Sequence, residues 1–313
     1  LTPPAEQPAW EIGDTPDPGT RPTETGTRRV GSPGEDHGGI RAKARHENFP
    51  VALRLLPREY RRHLMALYAF ARMVDDVGDE GEAEPGERIR LLDRIERDLD
   101  RIYTGVFPAD PLYADLAQTI RARALPREPF ARLIEANRQD QTVRRYRTFA
   151  DLVGYCTLSA DPVGRLVLHV FDAATPRRLE LSDQVCTALQ ILEHCQDVAE
   201  DAEAGRIYLP QEDLERFGVA EEDLRAPTAN RAVRALVGFE VQRAVALLDT
   251  GAELVGTLRG VARFAVAGYV AGGRATAVAL AGSGFDVLAG PPRPARARTA
   301  AELAALLVSG GAR

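Results

Sequence analysis

In the stretch HLMALYAFARMVDDVGDE, residues 63–80, apolar side chains recur at spacings of three and four, the period of an amphipathic helix. The run ends in an acid cluster, Asp75 to Glu80. Acid clusters in helical proteins are ordinarily solvated faces, but the register here differs. Counting back from Asp75 by 4, 8 and 11 residues meets Ala71, Leu67 and Leu64, so Asp75 and Asp79 continue the apolar stripe. They also fall at the end of the helical run, where the macrodipole disfavours negative charge.

The same texture, rich in Ala, Leu, Arg and Glu and without strand-like alternation, extends over residues 41–290. Helices are expected over 58–78, 86–104, 111–123, 127–140, 148–170, 177–203, 229–258 and 260–283, punctuated by Pro85, Pro108, Pro111, Pro126, Pro176, Pro210 and Pro227. The pattern predicts an all-α bundle of one domain. No repeat of 20–50 residues is visible, which weighs against a helical solenoid. With 313 residues, 44% of them hydrophobic, the chain can bury a substantial core. Residues 1–40 hold seven prolines and seven glycines, with seven acids against three basic residues, and read as a disordered tail. Residues 291–313, PPRPARARTAAELAALLVSGGAR, read as a Pro/Arg-rich tail with one short helix.

Lys and Arg number 40 against 46 acids, a net charge of −6, so no basic field is present to hold a nucleic acid. Three cysteines, Cys156, Cys186 and Cys195, show no CxxC spacing and argue against a disulfide framework or a structural zinc site. No basic flank followed by an apolar run appears near the start of the sequence, and a cytoplasmic location is expected. Arg274 interrupts AVAGYVAGGRATAVALAG, so no run of ~20 uninterrupted apolar residues is available for a spanning helix. An oily product would still allow peripheral contact with a membrane.

A second acid cluster lies in LQILEHCQDVAEDAEAGRIYLP, residues 189–210, where Glu193, Asp197 and Asp201 follow at steps of four. Like charges at that spacing repel, and the stripe runs back through Leu189 and Cys186, which points to an interior face. Something cationic is expected there. Carboxylate oxygens with no His or Cys at ligand spacing select a hard ion such as magnesium, which takes one or two carboxylates plus phosphates and water. Two DxxxD pairs on inward faces could thus hold metal ions that bridge a diphosphate, with Arg72 and Arg206 as candidate phosphate partners. Metals and basic groups stabilise the charge that builds as diphosphate leaves.

These residues resemble the squalene and phytoene synthases over roughly residues 41–295. The resemblance is carried by HENFPVALRLLP, ALYAFARMVDDVGDE, YCTLSADPVGRLVLHVF, QDVAEDAEAGRIYLP and GSGFDVLAGPPRP, in family order. HENFPV, SADPVGRLVL and QDV are most similar to the squalene synthases of bacterial hopanoid pathways. The resemblance implies a helical bundle of the isoprenoid synthase type, with Asp75, Asp79, Asp197 and Asp201 as metal-binding and catalytic residues; Glu193, on the same carboxylate stripe, is a further candidate metal ligand. The resemblance also implies a catalytic role for Tyr155 and substrate contacts from His46, Phe49, Tyr68, Arg72, Gln196, Arg206 and Tyr208. Three features depart from the family pattern: Glu193 replaces a frequent Asn, His194 and Cys195 replace bulky residues, and Asp161–Pro162 replaces Ala-Gly. His194 could serve as a base, help position a water, or be a structural core residue, the commoner role of a lone helical His.

The resemblance further implies two or three magnesium ions with the substrate diphosphate, and conversion of presqualene diphosphate and water to hydroxysqualene, in partnership with other hopanoid-pathway enzymes. The alternatives are head-to-head condensation of two farnesyl diphosphates and a non-catalytic metal-binding scaffold. A cyclising terpene synthase would mix Asn, Ser and Glu in its second motif, where this chain repeats DxxxD. No GxGxxG follows a strand, so NAD(P)H has no sequence support. Leu64, Leu67, Leu158, Val163, Leu166, Leu189 and Leu192 are candidates for an apolar tunnel, and the same spacing suits ordinary core packing.

Overall fold

The run at 63–80 lies in helix α1, Arg58–Asp79, whose apolar stripe buries Leu64, Leu67, Phe70 and Val74. The computed structural model describes residues 56–79, 81, 83–106 and 110–309. His46, Phe49 and the tail over 1–40 lie outside the described residues. The C-terminal turn of α1 is closed by Arg88, whose guanidinium donates to the carbonyls of Val77 (3.1 Å), Gly81 (2.8 Å) and Ala83 (2.9 Å). A cation there offsets the negative helix end that sits beside Asp75 and Asp79.

Helices α2 (Pro85–Tyr103), α3 (Pro111–Arg123) and α4 (Glu128–Gln139) follow, and all three carry proline in the first turn, where its missing N–H costs nothing. All three pack against α1 or its neighbours, burying Leu92, Ile95, Leu99, Leu116, Phe130 and Ile134 in a first core. The expected helix over 148–170 is two helices, α5 (Phe149–Ser159) and α6 (Asp161–Val170), because Pro162 cannot continue a helical ladder. Thr148 and Asp151 form a reciprocal capping box at the start of α5.

The expected helix over 177–203 also divides. Helix α7 (Pro176–Gln196) ends at Asp197, whose φ of −102° and ψ of 16° leave the helical basin, and a short α8 (Val198–Glu203) follows. Helix α9 (Gln211–Phe217) and a 3₁₀ turn (Glu221–Arg225) lie between the expected helices over 177–203 and 229–258, where no helix was expected. The expected 229–258 helix becomes α10 (Arg231–Gly251) and α11 (Glu253–Thr257). Helix α7 packs on α5, α6, α10 and α12 (Gly260–Gly282), and its far half belongs to a second core with Ile191, Leu192, Leu236, Val237 and Leu280. No strand occurs among the described residues, only an isolated bridge between Arg145 and Ile207.

Two expectations change at the C-terminal side. By length and composition α12 could cross a membrane despite Arg274, but half of its apolar window is buried inside the fold, as in a core helix. The one short helix expected in the 291–313 tail is α13 (Arg296–Ser309), and it is docked: it packs on α12, buries Leu306 and accepts from Arg263 Nη2 at Leu307 O (2.6 Å). Its Leu303, Leu306 and Leu307 supply the apolar face that docks it.

Candidate active site

Helices α1, α4, α5, α7 and α8 and the segment after α8 surround a cavity of about 320 Å³. Its wall includes Asp75 and Asp79 from the first acid cluster and Glu193, Asp197 and Asp201 from the second. Two clusters separated by more than a hundred residues therefore face one recess. Arg206 ties them together through an ion pair with Asp79. Burial works against the Arg206 charge, but the Asp79 carboxylate outweighs it and holds the guanidinium above its ordinary pKa.

Arg206 owes its place to the segment Gly205–Pro210. Gly205 has a φ of +78°, which lets the chain reverse at the end of α8 at no side-chain cost. Ile207 N then donates to Arg144 O (3.0 Å) and Gln211 N to Tyr146 O (2.9 Å), while Arg145 donates to Gly205 O (2.7 Å) and pairs bidentately with Glu221. Arg206 and Tyr208 are thereby aimed from a pinned backbone.

The first acid cluster is set by a close approach of α1 and α4. A Cβ on Gly78 would lie 2.0 Å from Asn137 Oδ1, so only glycine admits Asn137 at this height. Asn137 Nδ2 donates to Asp75 Oδ1 (3.1 Å) and to Leu133 O (3.2 Å), and Gln141 Nε2 donates to Gly78 O (3.1 Å). Asp75 keeps accessible surface, but it borders a recess, and surrounding protein, then the neighbouring Asp79, raises its carboxyl to about 6 despite the Asn137 hydrogen bond. Burial and Asp197 raise Asp201 to about 7, and burial also raises Asp197. Arg72 pairs with Asp76 (2.8 Å) and lines the cavity one turn before it.

A wall of stacked rings closes one side. Tyr208 stacks on His194 with centroids 3.8 Å apart, and Tyr155 lies 5.3 Å from Tyr146 and 5.6 Å from Tyr208. Tyr155 donates to Asp140 Oδ2 (2.8 Å), and burial keeps the Tyr155 phenol protonated, far above its ordinary pKa. Burial pushes His194 down to about 3, so the ring is neutral.

Of the residues expected at the site, Arg72, Asp75, Asp79, Tyr155, Glu193, Asp197, Asp201, Arg206 and Tyr208 share the wall. Tyr68 and Gln196 do not line it. Tyr68 is half-buried one turn before Arg72, and Gln196 points the other way, donating to Pro292 O (2.5 Å) in the strap between α12 and α13. The seven candidate tunnel residues are also absent from this wall: Leu64, Leu67, Leu166 and Leu192 are buried in the two cores, and Leu158, Val163 and Leu189 are half-buried. Asp161 is buried and accepts from Thr187 Oγ1 (2.9 Å), with burial raising it to about 7.

The sequence reading missed Asn137, Asp140 and Gln190, all on the wall. Asn137 and Asp140 follow Phe130 and Leu133 at helical spacing, so the continuation of that stripe was the available signal.

Six carboxylates face two arginines across this cavity, and the buried Asp140 Oδ1 has no hydrogen-bond partner among the described residues. The wall is short of positive charge, and its all-oxygen acid set fits a hard divalent cation. Among the described residues no three His, Cys, Asp or Glu side chains converge into a preformed metal site. The five expected metal ligands line one recess without forming one cage. That spacing suits magnesium, which shares its coordination among one or two carboxylates, phosphate oxygens and water.

Comparison with known proteins agrees with this geometry. The sequence profile described as Squalene/phytoene synthase matches residues 42–300. A phytoene synthase of Mycobacterium tuberculosis is 35% identical over 211 residues, 66% of this chain and 68% of the relative. A hydroxysqualene synthase of Zymomonas mobilis is 39% identical over 182 residues, 57% of this chain and 59% of the relative. The crystal structure of squalene synthase HpnC from Alicyclobacillus acidocaldarius superposes with a TM-score of 0.73 at 41% identity, covering 81% of this chain and 94% of that one. The all-α bundle is thus the squalene synthase type of isoprenoid synthase fold, and with its facing acid motifs the chain belongs to the squalene/phytoene synthase family, enzymes of head-to-head prenyl diphosphate chemistry.

Proposed function

We propose that the chain is a magnesium-dependent hydroxysqualene synthase, converting presqualene diphosphate and water to hydroxysqualene and diphosphate. The observation that carries this reading is the convergence of both aspartate motifs, bridged by the Asp79–Arg206 pair, on a cavity short of positive charge. The choice of the second half-reaction is supported by the 39% identical relative named hydroxysqualene synthase.

Asp75, Asp79, Asp197 and Asp201 would hold the magnesium, with Glu193 beside them. When bound, the ions neutralise charge on the departing diphosphate. Arg72 and Arg206 present planar guanidinium groups suited to two phosphate oxygens at once. Tyr155 and Tyr208, backed by Tyr146, would face developing positive charge on carbon with ring quadrupoles, and their buried hydroxyls stay protonated and cannot act as bases. Such a wall also limits which nucleophile reaches the cation. The chain acts in the cytoplasm in this reading, with peripheral access to a membrane that holds its oily substrate.

Mass spectrometry of products tests it. Purified protein with magnesium is given presqualene diphosphate or farnesyl diphosphate separately, and hydroxysqualene from presqualene diphosphate alone is expected. A C30 product from farnesyl diphosphate alone would make the chain a condensing synthase instead, and no turnover of either would leave the scaffold reading.

A second expectation follows from the site's acids. Asp75 and Asp201 have folded pKa values of about 6 and about 7, raised above the unfolded value of 3.8. Between those values the folded chain binds more protons than the unfolded one, so stability falls as pH rises through the window. The metal-free protein should melt lower at pH ~8 than at pH ~5, and magnesium with inorganic diphosphate should raise the melting temperature more at the higher pH, where the carboxylates are ionised. Equal magnesium shifts at both pH values would remove these acids from the metal site.

A further inference from the structure

We propose that His194, anchored by Gln190, holds the water that captures the carbocation, and so sets the alcohol as the product. This rests on the hydroxysqualene reading above. Gln190 and His194 lie one turn apart on the face of α7 that borders the cavity, on the same face as Glu193. The Gln190 amide Nε2 donates to His194 Nε2 at 3.3 Å, which leaves the ring proton on Nδ1. Among the described residues Nδ1 has no hydrogen-bond partner. Its nearest charged neighbour, Asp201 Oδ2, is 4.0 Å away, beyond hydrogen-bond length. The ring cannot swing to another partner, because Tyr208 stacks on it at 3.8 Å and the residue is 8% exposed. One fixed N–H donor is therefore presented beside the acid cluster where diphosphate ionises.

A carbocation needs no activated nucleophile, so its fate depends on which group is in place when it forms. The C–O bond to diphosphate breaks and its electron pair leaves with the diphosphate. A water that accepts from His194 Nδ1–H keeps a second lone pair, which forms the new C–O bond. The proton then leaves that oxygen for the released diphosphate, giving a neutral alcohol. Without the water the same cation loses a proton from carbon and yields a C30 olefin. His194 is thus a positioning residue whose loss changes the product more than the rate of ionisation.

The test compares full-length wild type, His194→Phe and His194→Asn, each with magnesium and presqualene diphosphate. Diphosphate release and the ratio of hydroxysqualene to C30 olefin are both recorded. Phe keeps the stack on Tyr208 and removes both nitrogens, so ionisation should persist within a few-fold while the alcohol-to-olefin ratio falls about tenfold, the worth of one hydrogen bond in the capture step. Asn restores a donor near the Nδ1 position and should recover much of the ratio. A His194→Phe enzyme that releases diphosphate with an unchanged ratio overturns the proposal. If His194→Phe does not fold, Gln190→Leu decides: losing the amide that fixes the ring proton on Nδ1 should lower the ratio in the same direction, and an unchanged ratio overturns it. Wild type that makes no hydroxysqualene from presqualene diphosphate defeats the functional reading itself, a result seen before any variant is compared.

Discussion

Asp75→Asn and Asp197→Asn should each lower turnover by about 10³-fold or more, because each removes a charge that answers the leaving diphosphate through a bound cation. The fold should survive. Asp75 carries a carboxyl that burial raises to about 6, and the first step that raises it is desolvation, so an uncharged amide of the same shape relieves the metal-free protein at neutral pH. The metal-free Asp75→Asn protein should therefore melt at or above the wild-type temperature while its response to magnesium and diphosphate shrinks. Steady-state rates and paired melting curves check both halves. Turnover within a few-fold of wild type in either variant would remove the aspartate motifs from catalysis and revive the scaffold reading.

Gly78→Ala should be the most disruptive single methyl group in the chain's first acid motif. The new Cβ would lie 2.0 Å from Asn137 Oδ1. Asn137 cannot simply rotate away, since it is 6% exposed and its amide holds both Asp75 and Leu133 O. Either the Asn137–Asp75 bond breaks or α1 and α4 separate, at a cost of about 1–3 kcal/mol in stability and of about 10²-fold in rate from misplacing Asp75. The double variant Gly78→Ala with Asn137→Ala separates the two contributions. With the clashing side chain gone, the stability cost of the methyl group should largely vanish, and a fully additive double-mutant cycle would show that the close approach is not its cause.

How far the sequence carries is visible at individual residues. The register of Asp75 and Asp79 on an apolar stripe, and the four-residue steps of Glu193, Asp197 and Asp201, announced a charged recess inside a helical bundle, and all five line one cavity. Helix breaks were harder to read. Pro162 was visible, yet its effect on a run of apolar residues was outweighed by the periodicity, and no proline or glycine marks the turn at Asp197. Asn137 and Asp140 escaped because neither belongs to a motif, and their role depends on α4 approaching α1 at Gly78. Gln196 was expected at the site from the family resemblance of the QDV motif. Its side chain turns outward from the cavity to the strap, where it donates to Pro292 O.

That outward turn has a consequence for how the chain is made. The Asp79–Arg206 pair joins residues 127 apart, and the Gln196–Pro292 bond joins residues 96 apart. Contacts of such sequence separation form late, after the loop-closure cost of the intervening helices has been met. Synthesis runs from the N-terminus, so the first acid motif emerges and packs long before the strap that steadies the second. A nascent chain halted short of residue 292 would display both aspartate clusters without the anchor beside Asp197. Closure of the strap on Gln196 therefore follows the emergence of both aspartate clusters from the ribosome.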